Sequence, residues 1–98
     1  MDLKKMEGKC AEVSFMLKAI AHPQRLMILC YLSEGEKNVS ELLEVCDISQ
    51  SQLSQFLNRM HRERLLTSRK KEQYVYYKLA SKELVKLLQS MQRIFCND

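Results

Sequence analysis

Ninety-eight residues, 46% apolar and 29% charged with a net charge of +4, describe one folded domain over residues 1–98 and exclude a disordered chain. No apolar run approaches membrane-spanning length, and Met1-Asp2-Leu3-Lys4-Lys5 leads into no secretory core, so a cytoplasmic protein with no membrane partner is expected. The four cysteines should then rest as thiols, with any disulfide conditional rather than structural.

Leu3, Met6, Cys10, Val13, Leu17 and Ile20 alternate steps of three and four, which predicts a first helix with a seam for another helix. Ala21-His22-Pro23 ends it and starts a second, with Pro23 in its favoured first-turn position. That second helix, residues 24–32, is apolar nearly all round and is expected at the buried centre. Residues 33–37 read as a loop. Asn38 can cap a third helix over residues 39–45, with Glu41 at the reciprocal capping position. Cys46-Asp47-Ile48 makes a short turn into a fourth.

The fourth helix carries the most information. Ser49 can act as its N-cap, with Gln52 completing a capping box. Leu53, Phe56, Leu57 and Met60 recur at helical spacing and mark a buried face. The rest of the surface bears Gln50, Ser51, Ser54, Gln55, Asn58, Arg59 and Arg62: amides and hydroxyls for base edges, guanidinium groups for phosphates. Two alternating runs, residues 67–71 and 74–79, then predict a hairpin around Lys70-Lys71-Glu72-Gln73. A reading helix at 49–64 and a wing at 67–79 make a winged helix-turn-helix, mainly α (α+β), in the order ααααββα. Ser81 caps a last helix whose Leu84, Leu87, Leu88, Met91, Ile94 and Phe95 cover more than one stripe. A homodimer through the first and last helices is the expected use of the surplus.

Charge follows the same division. Residues 49–79 carry seven Lys/Arg against two acids, a net +5, whereas residues 31–48 carry one base against five acids, a net −4. Positive charge concentrated on the reading device is what a polyanion binder requires. Gln50, Ser51, Ser54 and Gln55, with Ser49 at the helix start, are expected at the bases. Asn58, Arg59, Arg62, Arg69, Lys70 and Lys71 are expected on phosphates or in the minor groove. Two-fold symmetry would put the half-sites of an imperfect inverted repeat in double-stranded DNA about one turn apart.

The layout resembles the ArsR-type winged-helix repressors along nearly its whole length. Three blocks carry the resemblance: Ala21-His22-Pro23-Gln24-Arg25-Leu26-Met27-Ile28-Leu29, Ser49-Gln50-Ser51-Gln52-Leu53-Ser54-Gln55-Phe56-Leu57, and Tyr74-Val75-Tyr76-Tyr77-Lys78-Leu79. Many members have His where this chain has Phe56. Metal-sensing members carry a CxC-type motif on the helix before the reading helix, where this chain has Val39-Ser40-Glu41-Leu42-Leu43. Others place ligands on the last helix, which here holds neither His22 nor His61. The resemblance therefore implies no metal and no cofactor. Cys30 and Cys96, with flanks Leu29-Cys30-Tyr31 and Ile94-Phe95-Cys96, resemble the thiol- and persulfide-responsive branch containing SqrR, BigR and HlyU. That implies a dithiol whose oxidation or sulfur bridging alters DNA affinity, with reactive sulfur species or oxidants as inducer.

Without the resemblance, Cys30 in an apolar helix reads as a core thiol and Cys96 as an exposed one. Cys10, on the first seam, is an alternative partner for Cys96, and Cys46 reads as core. A metal or metalloid sensor using Cys10, Cys30, Cys46 or Cys96 is the runner-up, because soft thiolates bind soft metals. A thiol-redox enzyme would need a CxxC motif or a legible Cys–His pairing, and the sequence has neither, so no enzyme is expected.

Overall fold

The computed structural model describes residues 1–97. Its helices are α1 (Leu3–Ile20), α2 (Pro23–Leu32), α3 (Val39–Val45), α4 (Gln50–Arg62) and α5 (Lys82–Phe95), and its strands are β1 (Lys37–Asn38), β2 (Leu66–Lys71) and β3 (Tyr74–Leu79). This is a winged helix-turn-helix. The order ααααββα holds with one addition, β1, which pairs antiparallel with β3 and makes a sheet ordered β1-β3-β2. Two residues are too few to show strand alternation, and Asn38 is also the cap of α3, so this strand is hidden in the sequence.

Local chemistry sets each helix start. His22 caps α2, its Nδ1 accepting from the Gln24 backbone N–H at 3.2 Å, and Pro23 occupies the first turn. Asn38 and Glu41 form a capping box on α3, with bonds of 2.8 and 2.9 Å. Ser49 and Gln52 form another on α4, where the Gln52 N–H reaches Ser49 Oγ at 3.1 Å. Ser81 caps α5 by accepting from the Leu84 N–H at 3.1 Å.

The far end of α4 closes in a Schellman turn. The Arg64 N–H donates to the His61 carbonyl and the Leu65 N–H to the Met60 carbonyl, each at 3.0 Å. Arg64 sits in the left-handed region (φ 63°), a place usually taken by glycine, and the buried Leu65 and Met60 supply the apolar contact of the motif. The turn sends the chain directly into β2. Lys71 pairs with Tyr74, so the hairpin tip is the two residues Glu72 and Gln73, with Glu72 also left-handed (φ 57°).

One apolar core joins all the helices except most of α1. Ile28, Leu29 and Leu32 of α2 meet Leu42 of α3, Leu53, Leu57 and Met60 of α4, and Leu84 and Leu88 of α5. Helix α2, expected at the buried centre, buries Ile28, Leu29 and Leu32 there, but Met27 is 48% exposed beside a cleft between α2 and the α3–α4 turn. In α1 only Ala19 and Ile20 are buried, while Leu3, Met6 and Leu17 of its predicted seam are exposed. On α5, Ile94 and Phe95 are 71% and 81% exposed. These are large apolar side chains with nothing over them in a single chain.

Candidate functional site

The buried residues of α4 fix which of its side chains face outward. With Leu53, Leu57 and Met60 in the core, a rotation of 100° per residue aims Ser51, Gln55, Asn58 and Arg62 in a line along the opposite side. All four are exposed, as are Ser49, Gln50 and Arg59, while Ser54 is half-buried. Phe56 is half-buried against the core, its ring 5.2 Å from that of His22, so the cap of α2 touches α4. On its wing side, His61 Nε2 lies 3.3 Å from Ser68 Oγ, and its ring meets Tyr77 edge-on.

The structure separates the six expected phosphate-side residues into two sets. Arg59 Nε lies 3.6 Å from Glu63 Oε2, and Arg25 Nη1 of α2 lies 3.9 Å from Glu63 Oε1. The second approach is a charge contact rather than a hydrogen bond, because Oε1 is buried and accepts none. Arg69 is bound through Nε and Nη2 to Glu36, which precedes β1. Among the described residues, Arg62, Lys70 and Lys71 have no ion-pair partner, and Asn58 is exposed beside them on α4. Strand alternation puts Lys70 on the same wing face as Ser68, beside α4, and sends Arg69 and Lys71 to the other.

A second feature lies between α2 and α5. Cys30, Tyr31 and Glu34 from one side and Gln92 and Cys96 from the other line a cleft of about 230 Å³. Burial pushes the Cys30 thiol up, a Gln92 hydrogen bond pulls it back in part, and the nearby Cys96 adds to the rise. The same Gln92 donates through Nε2 to Ser33 Oγ at 3.1 Å, and Ser33 Oγ donates to the Cys30 carbonyl at 2.6 Å. Cys96 is exposed at the α5 C-cap. Cys10 is exposed on α1, and Cys46 is half-buried against the core, where burial raises its thiol. Among the described residues no three His, Cys, Asp or Glu side chains gather as a metal-binding group, and no helix is long and apolar enough to cross a membrane.

The profile of the bacterial regulatory protein, arsR family, matches residues 22–68, from the α2 cap into the wing. The transcriptional activator HlyU of Vibrio cholerae is 40% identical over 96 residues, 98% of this chain and 89% of its own length. The chain belongs to the ArsR family. This regulator is also similar to a biofilm growth-associated repressor of Agrobacterium fabrum, 37% identical over 94 residues, which span 96% of this chain and 80% of that one. The crystal structure of the transcriptional repressor BigR from Xylella fastidiosa matches with a TM-score of 0.91 and 34% identity, covering 100% of both chains. The family branch is thus that of HlyU and BigR. One of these relatives is named an activator and two are named repressors, so likeness alone does not give this ArsR-family regulator its sign.

Three residues that position these features escape a reading of the sequence alone. Gln92 precedes Cys96 by four and so shares its helix face, a spacing that could have found it. Glu36 and Glu63 give no such signal. Their cations lie in the wing and across α2, and only the fold brings them near.

Proposed function

We propose that this ArsR-family regulator binds an imperfect inverted repeat in double-stranded DNA as a homodimer, and that a link between Cys30 and Cys96 switches its affinity. The observation that carries the reading is that the two cysteines line one cleft between α2 and α5. The exposed apolar seam of α1 and the uncovered Ile94 and Phe95 of α5 support pairing with a second copy. The outward line Ser51, Gln55, Asn58 and Arg62, with Ser49, Gln50 and Ser54 at the helix start, supplies base and phosphate contacts, and Lys70 and Lys71 hold the backbone from the wing.

Cys96 is the exposed thiol and reacts first; Cys30 resolves. With a peroxide, the Cys96 thiolate attacks oxygen and becomes a sulfenic acid, and the Cys30 thiolate then displaces hydroxide. Two thiols lose two electrons, and hydrogen peroxide becomes two waters, or an organic peroxide one alcohol and one water. With a low-molecular-weight persulfide, Cys96 takes the outer sulfur and releases a thiolate. Cys30 then attacks the Cys96 sulfur and expels hydrosulfide. The cleft, several water volumes in size, also has room for a bridging sulfur.

The link reaches the DNA face through α2. That helix touches α4 at its cap, where His22 meets Phe56, and along its length, where Arg25 faces Glu63. Drawing its Cys30 end toward α5 therefore loads both contacts with the reading helix, and α5 carries the proposed dimer seam. This is a two-state lever with differential DNA affinity. The reading puts the protein in a reducing cytoplasm, where the linked state is the induced one.

Titrating reduced and oxidised protein against its own promoter DNA tests the proposal. Cys30→Ser and Cys96→Ser should each bind as the reduced parent does and lose the response to persulfide or peroxide. Peptide mapping should find the 30–96 link. Loss of DNA on oxidation in Cys30→Ser but not in Cys10→Ser would assign the partner of Cys96 to α1 and overturn this pairing.

A further inference from the structure

Arg69 and Glu36 stand on opposite flanks of β3, since the sheet runs β1-β3-β2 and Glu36 immediately precedes β1. Their side chains nevertheless meet across it. Arg69 Nε lies 3.0 and 2.9 Å from the two Glu36 carboxylate oxygens, and Nη2 also donates to Oε1. The guanidinium sits 5.6 Å from the centre of the Tyr76 ring, and Tyr76 is the β3 residue paired with Arg69 in register. Hydrogen bonding from Arg69 holds the Glu36 carboxyl below its usual range, with Lys78 and Lys71 assisting.

This geometry occupies the fork that a phosphate would need. A guanidinium bound through two nitrogens to a carboxylate and stacked on an aromatic face is fixed in orientation, and its charge is matched. The backbone tie beside it is slight. β1 contributes two register pairs, Lys37 with Tyr77 and Asn38 with Tyr76, which is little to set the tilt of a six-residue hairpin. Glu36 extends that tie by one side chain, across the full width of the sheet.

We propose that Arg69 is a positioning residue of the wing and not one of its phosphate ligands: with Tyr76 and Glu36 it forms a strut that sets the wing against the α2–α3 connection, leaving the backbone contacts to Lys70 and Lys71. The inference rests on the DNA-binding reading. It also alters that reading, because an acidic residue packed against the wing becomes an asset for binding.

The test is the salt dependence of DNA affinity, measured with the full chain on its promoter DNA. Lys70→Ala should flatten the slope of log affinity against log salt by about 1.8, the step for two phosphate contacts, one from each subunit of the proposed dimer. Arg69→Ala and Glu36→Gln should each weaken binding several-fold with the parent slope, and the double variant should be no weaker than either single one. Arg69→Lys should fail to rescue, since it keeps the charge and loses the fork. In the free protein, both strut variants should speed amide exchange in the hairpin, which loss of a phosphate ligand would not do. The proposal is overturned if Arg69→Ala flattens the slope by that same step while Arg69→Lys retains affinity, or if Glu36→Gln tightens binding by releasing Arg69. Failure of the underlying reading looks different: the parent itself would show no salt-dependent binding.

Discussion

Gln92 of α5 donates its side-chain amide to Ser33 at the end of α2, at 3.1 Å, and its amide pulls the Cys30 thiol partly back down from the rise that burial causes. One side chain thus fastens together the two helices that carry Cys30 and Cys96 and tunes one of the thiols. The Gln92 bond favours the thiolate, so its removal should raise the Cys30 thiol further above its ordinary range. In Gln92→Leu, which keeps the volume, the midpoint of the pH dependence of Cys30 alkylation should move up. Loss of the Ser33 bond should cost on the order of 0.5–1.5 kcal/mol in denaturant unfolding. An unchanged or lowered midpoint would mean that Gln92 is not the donor.

Positive backbone φ angles occur at Arg64, Glu72 and Gly35, and the first and last of these give a pair of opposite expectations. Arg64 holds the left-handed end of α4, so Arg64→Gly should stabilise the fold by about 0.5–1 kcal/mol, the steric cost relieved less the entropy a glycine loses. Gly35 lies at φ 149° with open space around its Cα, so Gly35→Ala should cost about 1–3 kcal/mol from conformation and not from a clash. Chemical denaturation of both variants measures the pair, and the signs should be opposite.

Specificity and strength of DNA binding should separate by residue. Gln55 lies on the outward line of α4, and its replacement by Ala should cost on the order of 1–3 kcal/mol on the cognate site and less on random DNA. Lys71→Ala should weaken both alike. Equal losses on both DNAs for Gln55→Ala would remove it from the base-reading set.

The uncovered apolar faces predict a solution mass twice the 11.6 kDa of one chain. Burying side chains as exposed as Ile94 and Phe95 is worth about 1.5–3 kcal/mol each. Ile94→Glu or Leu17→Glu should therefore shift sedimentation toward the monomer and weaken binding to a two-half-site operator more than to a single half-site. A monomeric parent would sink the homodimer reading.

Much of this fold was written locally. The capping pairs Asn38–Glu41 and Ser49–Gln52 act within four residues of chain, and the spacing of Leu53, Leu57 and Met60 names a core face without any partner in view. Helix starts, the hairpin and the polar character of α4 were legible for that reason. β1 was not, since a two-residue strand has no period to read, and neither was the left-handed Arg64, which breaks the preference for glycine at a helix end.

By itself, the sequence determined the helix starts, the wing hairpin and the core face of α4, because capping, periodicity and charge segregation are properties of neighbours along the chain. The tertiary structure alone decided which of the basic residues are spoken for. Arg69 and Arg59 look like free cations in sequence, but folding puts Glu36 and Glu63 beside them, while Arg62, Lys70 and Lys71 keep no such partner among the described residues. It also decided that Cys30 and Cys96, sixty-six positions apart, line one cleft. An ion pair or a thiol pair depends on distance in space, and chain separation carries no record of that until the core has closed.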